Sequence, residues 1–167
     1  MVEAEQFSAG DFDNEKAYMI SSTGEEQNIA TNIIGLRIWE DIELPVVHGE
    51  LTMYNTVSFA DEFPMIGSEK LELVLKTPAF TGKKIDIQGE KAFWIYQCTQ
   101  REHQRNLQIF TLKFCSPEMA INSSKNFSQS IEGTASEIVS KIMKTHIKTV
   151  KDISFHDTQD RKNIVFS

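Results

Sequence analysis

Apolar and polar residues alternate along most of the chain with the period of a β-strand. The alternation is cleanest over residues 69–76 (EKLELVLK), where Leu71, Leu73 and Leu75 fall on one face and Lys70, Glu72 and Lys76 on the other. Residues 28–41 (NIATNIIGLRIWED) read as one long strand. Ile34, Leu36 and Ile38 share one face of it, and Ile29, Thr31, Ile33, Arg37 and Trp39 share the other. Both faces carry apolar residues, so one is expected to meet the domain core and the other a partner subunit. Gly35 in its middle predicts a bend or a close backbone approach, and Gly49 predicts a bulge in the next strand, residues 46–55. Residues 17–22 give a short strand before a turn at Gly24, and residues 83–88 a weak one. Residues 57–64 read as a short helix or turn, because Ser58 and Asp61 break any alternation.

A hairpin follows. In residues 91–101 (KAFWIYQCTQR), Phe93 and Ile95 share one face and Trp94, Tyr96 and Cys98 the other. Residues 107–115 (LQIFTLKFC) answer it with Phe110, Leu112 and Phe114 on one face and Leu107 and Ile109 opposite, across a charged loop at 102–106. Ser116 and Pro117 then supply an N-cap and a first helical residue for a short helix to about residue 121. Residues 127–131 are short and extended. Thr134 and Glu137 form a capping box that opens a helix to about His146. Its stripe of Ala135, Ile138, Val139, Ile142 and Met143 is expected to pack on the sheet. Residues 151–155 offer a last strand, and the apolar 164–166 read as a cut edge of a longer protein.

The fold class expected is therefore mainly β with α (α+β): a small tube-like antiparallel β-barrel with a short helix and one longer packed helix. Residues 1–16 form a flexible acidic arm, residues 17–150 the barrel domain, and residues 151–167 the start of a connection to a C-terminal part.

Composition narrows the function. The 167 residues suit one domain with a real core, and 40% hydrophobic with 25% charged residues is ordinary for a soluble protein. The net charge of −7 disfavours a clamp on phosphate backbones, although a conduit that lets DNA slide would also avoid a basic lining. The polar N-terminus does not read as a signal or transit peptide, and no apolar run approaches a membrane span, so a soluble protein in a reducing cytoplasm is expected. Cys98 and Cys115 lack metal spacing and read as small core side chains, with a cross-strand disulfide as the alternative.

Catalytic signals are sparse. His48, His103, His146 and His156 show no metal spacing, and the adjacent His156 and Asp157 read as a solvated pair. There is no nucleophile elbow and no glycine-rich phosphate loop. The adjacent acids Glu40-Asp41 and Asp61-Glu62 read as solvated surface. No catalytic, metal or cofactor residue is nominated. Trp39, Trp94 and Tyr96 have the chemistry to stack on a base or sugar, but in such strands they read first as core or interface.

One succession of motifs carries a family resemblance. It runs through Leu36-Arg37-Ile38-Trp39-Glu40-Asp41, then Gly49 to Asn55, then Ile66-Gly67-Ser68-Glu69-Lys70-Leu71. Ser116-Pro117-Glu118, Phe127, Ile131-Glu132-Gly133-Thr134 and the helix with Ile138 and Ile142 follow. Over residues 29–142 this order resembles the N-terminal tube-like domain of baseplate hub proteins from contractile-tailed phages of the T-even type. It also resembles the related part of type VI secretion spike proteins. The resemblance implies a structural, non-enzymatic ring component of the virion, assembled in the host cytoplasm. It implies a trimer in the full-length protein, joined to the tail tube and central spike, with DNA passing through unbound and no membrane. The chain is shorter than that family and lacks its second tube-like domain. The expected subunit interface is Ile33, Arg37, Trp39 and Trp94. The competing readings are a small-molecule or glycan-binding β-barrel module and a cell-wall hydrolase accessory domain.

Overall fold

The computed structural model describes residues 12–44, 46–56, 63, 65–76, 84–104 and 107–166. Strands β1 (Asp13–Ile20), β2 (Glu26–Asn28), β3 (Ile33–Glu40) and β4 (Val47–Thr56) come first. They are followed by β5 (Lys70–Lys76), β6 (Lys84–Ile87), β7 (Phe93–Gln104) and β8 (Leu107–Cys115). These eight form one antiparallel sheet in the order β2-β1-β5-β7-β8-β4-β3, with β6 alongside β5. A smaller lobe holds α1 (Pro117–Ser124), β9 (Gln129–Thr134), α2 (Ala135–Lys141), a π-helical segment (Ile142–Ile147) and β10 (Arg161–Phe166). The fold is thus mainly β with two helices, in the α+β class.

The core lies on one face of the large sheet. Ala17 and Met19 of β1, Leu51 and Met53 of β4, Leu71 and Leu73 of β5, and Leu112 and Phe114 of β8 are fully buried together. Among the described residues the two helices of the smaller lobe add no side chain to this cluster, and apart from Ala30, Phe63 and Met65 the sheet covers its own inner face, which calls for curling. The connection between β2 and β3 requires the same. These strands lie at opposite ends of the sheet order. Six flat inter-strand spacings would separate them by about 29 Å. The five Cα steps from Asn28 to Ile33 reach at most about 18 Å. The 3₁₀ turn Ala30–Asn32 bridges the gap. Ile29 N–H donates to the Ala17 carbonyl of β1 at 3.0 Å, and Tyr54 Oη of β4 donates to the Thr31 carbonyl at 2.9 Å. Ile29 is fully buried between the two edges. The sheet does not close into a barrel, because β2 and β3 share no ladder.

Several local expectations change. The first strand begins at Asp13, so residues 13–16 belong to the sheet and not to an arm; residues 1–11 lie outside the described residues. The long strand expected over residues 28–41 is broken by the 3₁₀ turn, and β3 carries a register shift between Ile33 and Gly35. That shift puts Ile33 on the core side with Leu36 and Ile38 and turns Ile34 outward. A second shift between Ile95 and Gln97 turns Cys98 inward against the core, away from the face of Trp94. Cys115 points to the opposite face, so the two cysteines are separated by the sheet and both are free. Gly49 sits in unbroken register, not in a bulge. Glu72 is buried instead of solvated: Lys16 Nζ donates to it at 2.6 Å and Gly89 N–H at 2.8 Å. The helix or turn expected at 57–64 lies outside the described residues except Phe63, which is buried.

In the smaller lobe the capping box of Thr134 and Glu137 is present. The single helix expected to His146 instead gives way to the π-helical segment after Lys141. Ile138 in the helix and Ile147 at the end of the π-helical segment are buried, whereas Val139 is exposed. Helix α2 packs on β9, and the π segment on α1, not on the large sheet. Residues 151–155 form no strand; the last strand is β10, which pairs antiparallel with β9.

Candidate functional site

The strand registers assemble the outer face of the sheet into rows. Trp39 lies opposite His48, His48 opposite Cys115, and Cys115 opposite Trp94. The next row reads Arg37, Glu50, Lys113, Gln97, and the one beyond it Gly35, Thr52, Thr111, Thr99. Thr52 and Thr111 share a hydroxyl hydrogen bond at 3.0 Å, which ties β4 to β8 on this face. Of the expected interface residues, Arg37, Trp39 and Trp94 therefore share a face, whereas Ile33 packs inward. The Trp39 and Trp94 backbones stand three strand spacings apart, about 14 Å.

The two tryptophans have different surroundings. Trp94 borders a cleft beneath the smaller lobe, facing Pro117, Glu118, Ile121 and Thr149. Glu118 anchors that junction: Thr149 Oγ1 donates to it at 2.7 Å and Lys151 Nζ at 2.9 Å. Burial alone would push the Glu118 carboxyl up, but these two hydrogen bonds outweigh it and hold the group below its ordinary value. Ser116 occupies the N-cap position of α1, yet its hydroxyl makes no cap bond and is buried without a partner among the described residues. Burial also raises the Cys115 thiol, with the backbone N–H of Ala120 pulling the other way, so it is no activated nucleophile.

Trp39 instead forms one wall of an open groove of about 550 Å³ that runs across β4 and β8. Tyr96, on the bulge of β7, forms the other wall. His48, Glu50 and Lys113 make the floor. The His48 imidazole stacks on the indole of Trp39, with ring centroids 5.5 Å apart and planes inclined by 25°. Burial, then the nearby Cys115 and Glu50, push the Tyr96 phenol up, so it stays neutral at pH 7. Glu50 and Lys113 face each other across the strands, yet neither closes an ion pair among the described residues. Arg37 beside them is exposed.

No three histidine, cysteine or acidic side chains converge as a metal site among the described residues. His146 packs edge-on against Phe127 at 4.3 Å, and His156 and Asp157 are exposed. No helix of the described residues is long and apolar enough to cross a membrane. No protein family model matches the chain, and no curated protein matches it. Sequence reasoning missed His48, Glu50 and Lys113. Each is an ordinary residue in its own strand, and only the registers of β3, β4 and β8 bring them together.

Proposed function

We propose that the protein is a structural subunit of a contractile-tail baseplate hub, or of a related injection machine, and that it acts by self-association. One observation carries this reading. Strand β3 is an edge of the sheet, and its outward face and following loop expose Ile34 and Ile42 beyond the groove that Trp39 lines. An eight-residue edge strand with apolar side chains beside it is a template for pairing with another chain. In this reading the tube is completed between copies, where β3 of one subunit meets its neighbour, and not within one chain. The complete ring then sits in the virion between tail tube and central spike. Its negative charge keeps passing DNA from sticking.

The test is mass by light scattering across a concentration series. Growth from monomer towards a trimer or hexamer is the expected result. Ile34→Asp should abolish that growth while leaving the circular dichroism spectrum intact, because Ile34 is 55% exposed and outside the core. A wild-type chain that stays monomeric at the highest soluble concentration would refute self-association by this domain.

A further inference from the structure

We infer that the groove between Trp39 and Tyr96 is a binding site for a neutral saccharide, a function separate from assembly at the β3 edge. Its volume of about 550 Å³ falls in the range of small-ligand sites. Both walls are aromatic and open, with Trp39 41% and Tyr96 48% exposed. The Tyr96 ring and the exposed part of the Trp39 indole, beside a concave floor, offer stacking surface for the apolar C–H faces of a pyranose ring. The indole is braced by the stacked His48 imidazole from the neighbouring strand β4, and the floor residues stand on β4 and β8 in the middle of the sheet. Little ordering therefore remains to be done when a ligand arrives.

The floor selects the ligand class. Glu50 supplies two acceptor oxygens and Lys113 three donor hydrogens, directly across from each other and without an ion pair. A neutral polyol can use both at once, accepting from Lys113 and donating to Glu50 through neighbouring hydroxyls. An anionic ligand would meet Glu50, with Glu40 and Asp41 at the rim; these acids leave the groove net negative, so a cation is kept off the floor only by Lys113. The same acids repel the phosphates of a nucleic acid, although its bases could stack. A tyrosine whose phenol stays neutral adds a further hydroxyl to the polar inventory without adding charge.

The chain has two tryptophans, which makes the test direct. Their indole N–H signals are followed by proton–nitrogen NMR while maltotriose or N-acetylchitotriose is added to about 10 mM, enough to detect millimolar binding. The expected result is a saturable shift of the Trp39 signal with at least one sugar, while Trp94, in its separate cleft, stays in place. Tyr96→Ala should weaken that binding by about tenfold, as the loss of one aromatic contact does. Glu50→Gln, which keeps the shape, should weaken it by about threefold. Ile34→Asp should leave it unchanged, so that a failure of assembly and a failure of binding are read apart. No Trp39 shift with either sugar overturns the proposal. So does a parallel shift of both tryptophans, a saturable response to tetramethylammonium instead of sugar, or sugar binding that survives both groove substitutions.

Discussion

At the scale of single residues, Gly49 shows how a strand position can have no room for a side chain. A Cβ there would stand 2.3 Å from the ring of Phe114 and 2.4 Å from the Arg37 carbonyl. The carbonyl belongs to the neighbouring strand and cannot swing away as a flexible side chain would. Gly49→Ala should therefore cost about 3 kcal/mol of stability, read from the shift of the urea midpoint. From sequence, this glycine and a bulge glycine look the same, because only the β4–β8 register names Phe114 as its neighbour. Glu118 gives a second residue-scale prediction. Its folded pKa lies below the ordinary 4.5, so the stabilisation is present above that value and is lost as pH falls through the folded pKa. Glu72, held by Lys16 and the Gly89 N–H against its own burial, adds to the same acid loss. Lys151→Met removes one of the two groups that favour the charged Glu118. The variant should melt lower than wild type at pH 7, and the gap should narrow as pH falls through the folded pKa of Glu118, below its ordinary value. A gap that is constant from pH 7 to pH 3 would count against this role for the pair.

At the scale of elements, legibility divides cleanly by how local the cause is. The inward sets Leu71, Leu73, Leu75 and Phe110, Leu112, Phe114 followed from alternation, because a regular strand exposes its two faces by period alone. The capping box at Thr134 and Glu137 was equally legible, being a contact between residues three apart. The faces of β3 and β7 were not. One extra residue near Ile34 moves Ile33 inward, and one near Tyr96 moves Cys98 inward, and nothing in either stretch announces where the alternation slips. Ile33 packs inward for that reason, while Arg37 and Trp39, beyond the slip, face outward. The bulge at Tyr96 also has a consequence for the groove. It leaves Tyr96 outward beside Gln97, where a regular strand would have turned one of the two to the core. The π-helical segment is a similar case: the apolar stripe is visible in the sequence, but the change of period after Lys141, at whose end Ile147 is buried, is not.

At the scale of the whole molecule, the shape depends on four residues. The segment 29–32 spans the gap between the first and last strands of a curled sheet, and Ile29 is the buried side chain at its head. Alternation alone joins 29–32 to β3 as one strand and puts Ile29 on the face of Trp39, so it hides the bridge. If the bridge holds the curl, Ile29→Ala should do more than lower stability by the about 2–5 kcal/mol typical of such a truncation. It should loosen both edges together, because the same residue is bonded to β1 and leads directly into β3. Amide hydrogen exchange separates the possibilities. Exchange near Tyr18 and Ile20, where β1 meets β2, should accelerate in step with exchange from Gly35 to Ile38 in β3. Amides of central β8 should change only by the amount that global stability falls. A uniform change across all strands would mean that the inner core alone holds the curl, and that the bridge merely follows it.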